Sequence, residues 1–128
     1  MRITALASTF QSLLLLVLLV LGIDGAKAEE GHVGTWGTGP AQCALGQDEE
    51  DAPLVMTATG YDQHKIHCRF RSVTAKADTA EGEPKTWHVS AECSGRGSKE
   101  AYEFTLLLQD NSLTFRDNEG DRVLERCP

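Results

Sequence analysis

His64-Lys65-Ile66-His67-Cys68-Arg69-Phe70-Arg71-Ser72 and Lys85-Thr86-Trp87-His88-Val89-Ser90-Ala91-Glu92-Cys93 read as the two arms of one antiparallel hairpin. On the first arm Ile66, Cys68 and Phe70 are apolar, while Lys65, His67, Arg69 and Arg71 are polar. On the second, Trp87, Val89, Ala91 and Cys93 alternate with His88, Ser90 and Glu92. Such a period of two gives each strand one buried and one solvated face. The stretch 75–85 between them is rich in charge, Gly and Pro, as a surface loop should be.

Setting Cys68 opposite Cys93 fixes a register that both faces can test. It places Phe70 against Ala91 and Ser72 against Val89 on the inner face, and Arg69 against Glu92, an opposite-charge pair, on the outer face. A slip of one residue would turn every apolar side chain outward, so the agreement supports a Cys68–Cys93 disulfide. A second hairpin follows: Tyr102, Phe104, Leu106 and Leu108 alternate inward, Asp110-Asn111 turns, and Leu113 and Phe115 return. With a two-residue loop Leu108 faces Leu113 and Leu106 faces Phe115. Further strands are expected at 33–36, 54–59 and 122–127. Helix signals are almost absent.

The chain has 4 cysteines, and four allow three connectivities. With Cys68 and Cys93 joined, Cys43 remains for Cys127, a bond linking the first and last segments. The expected fold is therefore all-β: a small antiparallel meander barrel with two disulfides, whose closure removes exposed edge strands.

Upstream of the cysteines, residues 13–21 form an unbroken apolar run behind Arg2 and end at Gly25-Ala26-Lys27-Ala28. A basic start, a short apolar core and an Ala-x-Ala exit mark residues 1–28 as a signal peptide cleaved after Ala28. Residues 29–128 then form a single exported domain, periplasmic or secreted, in which paired cysteines are at home. The apolar run is too short to span a bilayer, so no membrane anchor is expected after cleavage. The whole chain carries a net charge of -7. An acidic surface repels phosphates and argues against nucleic-acid partners.

Candidate sites are few. Asp48-Glu49-Glu50-Asp51 lacks the spaced oxygen ligands and Gly turn of a calcium loop, and reads as a solvated run that can dock a basic partner. His64 and His67, three apart on a strand, point to opposite faces and make a poor metal pair. The stripe Lys65, His67, Arg69, Arg71 is the solvent face of a strand. Ser94-Gly95-Arg96-Gly97-Ser98 precedes no helix and cannot cradle a phosphate. No local motif activates a serine or histidine, and disulfide-bonded cysteines offer no thiolate. No cofactor, metal or catalytic residue is expected.

Gly34-Thr35-Trp36 on the first strand, with Arg126 on the last, resembles the calycin superfamily of small antiparallel barrels. In that superfamily a Gly-x-Trp opens the first strand and a late arginine packs over the tryptophan ring. The segment from Trp87 to Cys93, the length and the exported context look most like its branch of periplasmic metalloprotease inhibitors. The chain departs from that branch in having two disulfides rather than one, and in having only residues 29–33 ahead of the motif as an inhibitory tail. Periplasmic lysozyme inhibitors are similar in size, but Ser98 stands where their Ser-Gly-x-x-Tyr loop has tyrosine. The resemblance implies a non-catalytic binding protein, an inhibitor of a hydrolase such as a protease or lysozyme. With so short a tail, the contacts are expected from loops 37–42, 47–53 and 75–85 instead. The alternatives are a small-molecule carrier using the barrel interior and a structural envelope protein.

Overall fold

The computed structural model describes residues 31–77, 79–95 and 97–128; the signal peptide assigned to residues 1–28 lies outside them. Eight strands run in chain order: β1 (Gly34–Gly37), β2 (Leu54–Met56), β3 (Gly60–Gln63), β4 (Ile66–Ala75), β5 (Lys85–Gly95), β6 (Ser98–Gln109), β7 (Ser112–Asp117) and β8 (Gly120–Arg126). Each pairs antiparallel with the next, and β8 returns to β1, closing the barrel. Among the described residues one short helix, α1 (Pro40–Cys43), follows β1. Disulfides join Cys68 to Cys93, as the register argument required, and Cys43 to Cys127, as elimination left.

The alternation in the sequence becomes the core. Trp36, Leu54, Met56, Leu106, Leu113 and Phe115 are fully buried, with Trp87, Val89, Ala91 and Phe104 beside them. Phe104 and Phe115 stack with centroids 4.4 Å apart, and Tyr61 meets both rings edge-on at 5.8 and 5.9 Å. Cys68 faces Cys93, Phe70 faces Ala91, Leu106 faces Phe115 and Leu108 faces Leu113.

Beyond Phe70 the expected register fails. A bulge between Phe70 and Ser72 puts Ser72 opposite Ser90 and Val73 opposite Val89, and moves His88 from Val73 to Thr74. The extra residue flips the side-chain phase, so Val73 takes the inner row that simple alternation gave to Ser72. The stretch 54–59 is likewise not one strand. β2 stops at Met56, the Thr57 N–H donates to the Gly60 carbonyl across a tight turn (2.8 Å), and β3 begins at Gly60. Gly60 is required at that point: a Cβ on it would lie 2.2 Å from the Cys68 carbonyl oxygen.

The β1–β8 seam is short, pairing Trp36 with Arg126 and Gly37 with Glu125. Arg126 reinforces it. Its guanidinium lies 4.3 Å from the Trp36 ring centroid, and its Nη1 and Nη2 donate to the carbonyls of Val33 (3.0 Å) and Gly31 (2.8 Å). Gly34, at φ 151°, makes room: a Cβ there would sit 2.7 Å from Arg126 Nη1. Trp36 Nε1 donates to the His32 carbonyl at 2.9 Å, and the His32 ring packs on Trp87 at 4.8 Å. The segment ahead of β1 is thereby strapped across the lower end of the barrel.

Trp36→Ala should lower the unfolding free energy by about 3–5 kcal/mol in urea titrations, because it empties a fully buried site and removes the platform for Arg126. Loss of the Cys43–Cys127 bond, which spans 84 residues, should cost about 4.5 kcal/mol; loss of Cys68–Cys93, which spans 25, about 3.5 kcal/mol. Thermal melts of the two double-serine variants check that order.

Candidate functional site

Because consecutive strands are antiparallel, the β1–β2, β3–β4, β5–β6 and β7–β8 connections share the upper end, while the β4–β5 loop lies at the lower end. Loops 37–42 and 47–53 therefore belong to one upper connection, and 75–85 stands apart from both. The three do not form one surface.

The upper end holds a cavity of about 560 Å³ above the aromatic core. Tyr61, Glu100, Tyr102, Asp117, Glu119 and Arg122 are among its walls. The Tyr102 hydroxyl donates to the Asp117 carboxylate, which also accepts the Glu119 backbone N–H at 2.8 Å. Arg122 lies over Phe115, 4.5 Å from its centroid. Burial pushes the Tyr61 hydroxyl up to about 12, with Arg122 opposing and Asp117 adding to the rise. Burial and then the hydrogen bond to Asp117 push Tyr102 higher still. The same bond holds the Asp117 carboxyl below its ordinary range. Tyr61 and Tyr102 therefore stay protonated and Asp117 ionised at neutral pH, so this group fixes the rim without supplying an acid or base poised for proton transfer.

The acidic run Asp48, Glu49, Glu50 and Asp51 is exposed on the β1–β2 connection, beside this mouth. The backbone around it is anchored at several points. Gln47 Nε2 donates to the Pro53 carbonyl (2.8 Å), and Gln63 Nε2 to the Ala52 carbonyl (3.1 Å). The His64 backbone N–H donates to Gln47 Oε1 at 2.8 Å, and Cys43 bolts the start of the connection to the end of β8. Pro40 opens α1 at a position where its missing N–H is harmless. The charges thus sit on a connection with few remaining degrees of freedom.

The outer wall carries another grouping. Asp62, His67 and Ser94 are register neighbours on β3, β4 and β5. His67 Nδ1 lies 2.5 Å from Asp62 Oδ1. Ser94 Oγ, however, donates to the His67 backbone carbonyl at 3.4 Å rather than to the imidazole, so no nucleophile–base pair is formed. His64 is held elsewhere, its Nδ1 3.2 Å from the Gln47 carbonyl. Among the described residues no three His, Cys, Asp or Glu side chains gather where they could hold a metal ion. In the basic stripe, Arg71 rather than Arg69 pairs with Glu92, at 2.5 Å, although Arg69 is the register partner.

Sequence reading reached the acidic run, Trp36 and Arg126, but not the Tyr102–Asp117 or Asp62–His67 contacts. The second was derivable, since a two-residue turn at His64-Lys65 sets Asp62 opposite His67. The first joins residues 15 apart across the stagger of β6 and β7 and leaves no local signal.

No family model matches the chain, no curated protein matches it, and no solved structure matches it. The class defined by fold and site is an eight-stranded antiparallel barrel with two disulfides, which suits an oxidising, exported environment.

The chain has 2 tyrosines, both at the mouth, so phenolate absorbance reads this site directly. Alkaline titration of the folded protein should show no ionisation near the ordinary value of 10, and Tyr61 should titrate at about 12. A raised folded pKa contributes stability that is complete below 10 and is lost as pH rises through 12. Asp117→Asn should move Tyr102 ionisation to lower pH; an unchanged curve contradicts the Tyr102–Asp117 link.

Proposed function

We propose that the mature chain is a non-catalytic, exported binding protein that inhibits a hydrolase, a protease or a lysozyme, in the periplasm or outside the cell, docking through its acidic upper rim. The observation that carries this reading is the filled interior. Trp36, Phe104, Leu106, Leu113 and Phe115 occupy the space a carrier would leave for its ligand, so the surface left for function is the rim.

The anchored β1–β2 connection supports the same reading. Asp48, Glu49, Glu50 and Asp51 stand on a segment held by a disulfide and by hydrogen bonds from Gln47 and Gln63. A preorganised loop loses little entropy on binding, and its charges steer a basic partner and speed association. The Gly34, Trp36 and Arg126 arrangement agrees in geometry with the calycin-like resemblance, whose periplasmic branch inhibits metalloproteases. The carrier reading keeps one support: the mouth cavity of about 560 Å³ falls in the range of small-ligand sites.

Immobilised mature protein, with disulfides intact, should capture a hydrolase stoichiometrically from an extract supplemented with secreted proteases and lysozymes, and should inhibit it. Added salt should weaken capture. Neutralising the run (Asp48→Asn, Glu49→Gln, Glu50→Gln, Asp51→Asn) should slow association roughly tenfold while leaving the melting temperature nearly unchanged. Capture of no hydrolase, or equal association by the neutralised variant, contradicts the proposal.

A further inference from the structure

Among the described residues, the stagger that closes the barrel leaves one clean strand edge at its mouth. β8 runs from Gly120 to Arg126, yet only Glu125 and Arg126 pair with β1. Hydrogen bonding along β8 alternates between its two sides. Arg126 N–H donates to the Asn111 carbonyl, toward β7, and Cys127 N–H donates to the Thr35 carbonyl, toward β1. Glu125, Val123 and Asp121 thus direct their backbone groups to the β1 side, while Leu124 and Arg122 direct theirs to β7. Glu125 meets Gly37; among the described residues, no strand stands opposite Val123 or Asp121.

The reason lies in the preceding connection. After Gly37 the chain turns into α1 at Pro40, and the Cys43–Cys127 bond draws it back toward the far end of β8. The continuation of β1 therefore cannot cover the edge. Two other strands also overhang their neighbours, but each is blunted. β4 has a bulge at Phe70/Ser72 and carries Arg71, and β6 is tied to the β7–β8 hairpin by the Tyr102–Asp117 bond. The β8 edge has no bulge, and it bears Val123, among the described residues the most exposed large apolar side chain at 58%.

We propose that Asp121 and Val123 on β8 form a strand-addition site for an extended, basic segment of a protein partner. The class of partner follows from charge. Glu119 and Glu125 flank the edge, Glu100 lines the adjoining cavity, and the run Asp48 to Asp51 shares the rim. The nearby cations are engaged: Arg116 holds Asp121 with two bonds of 2.8 Å, and Arg122 lies on Phe115. An added strand would gain main-chain hydrogen bonds from the edge, an apolar contact at Val123 and ion pairs from alternate basic side chains. A second copy fits poorly, because antiparallel pairing about Val123 sets Asp121 against Glu125 of the other molecule. This inference rests on the inhibitor reading and names the chemistry its partner must present.

The test is an amide-shift titration of isotope-labelled mature protein with a capped peptide of repeating Lys-Thr-Val-Thr (the Lys–Val peptide), whose Lys and Val alternate along one strand face, and with its Glu–Val counterpart. The Lys–Val peptide should shift the amides of Asp121, Val123 and their neighbours and protect them from exchange; the Glu–Val peptide should not. Val123→Pro removes a donor that faces away from β7, so the β7–β8 ladder survives, and affinity should fall roughly tenfold. Val123→Lys, which keeps the backbone intact, should weaken binding as well. Shifts confined to β4 or β6, no shift on β8 up to the solubility limit, an equal response to the acidic peptide, unchanged affinity in both variants, or dimerisation through β8 each overturn the assignment. Capture of a hydrolase that persists in Val123→Pro would retain the inhibitor reading and remove this edge from it, so the two failures are distinguishable.

Discussion

The structure depends on a seam only two residue pairs long, Trp36 with Arg126 and Gly37 with Glu125. Backbone hydrogen bonds across so short a contact would not hold a sheet closed by themselves, since each contributes about 1 kcal/mol net. Three further interactions converge there. The guanidinium of Arg126 covers Trp36 and ties down the carbonyls of Val33 and Gly31, while Cys43–Cys127 fixes the chain just outside the seam. Gly34 belongs to the same device, because any side chain there would meet Arg126. Closure is thus maintained by side chains and one covalent bond as much as by the ladder.

The same seam shapes the functional surface. Because β1 is short, its continuation is free to become a connection rather than a strand, and the disulfide that locks the seam also folds that connection back. The upper rim gains an anchored acidic segment and an uncovered β8 edge from one geometric cause. The lower end gains the opposite, a floor sealed by His32, Trp36 and Arg126. An aromatic core between them leaves little interior space, so the asymmetry of the two ends directs attention to the rim.

What was legible in the sequence follows from what has a period. Cys68, Phe70, Ala91 and Cys93 alternate on facing strands, and the register around them was readable because both faces had to agree. The Leu106–Phe115 and Leu108–Leu113 pairs were readable for the same reason. The bulge was not, since Arg71 and Ser72 are both polar and carry no phase information. β3 was invisible because Gly60-Tyr61-Asp62-Gln63 offers a single apolar side chain. The acidic run could be found by composition, but its anchoring by Gln47, Gln63 and Cys43 depends on contacts that the fold alone creates. The mouth tyrosines and Asp117 meet through strand stagger, which no local pattern encodes.

Native-state amide hydrogen exchange on the free protein tests the seam most directly, because it reads each backbone donor separately. Cys127 N–H, bonded to Thr35 across the seam, and Leu124 N–H, facing β7, should exchange slowly, near the rate set by global unfolding. Val123 and Asp121, one and three residues from Leu124 on the same strand, should exchange orders of magnitude faster. Strong protection at Val123, or a Cys127 amide that exchanges as fast as an open loop, would contradict the account of a short, side-chain-held closure that leaves β8 uncovered.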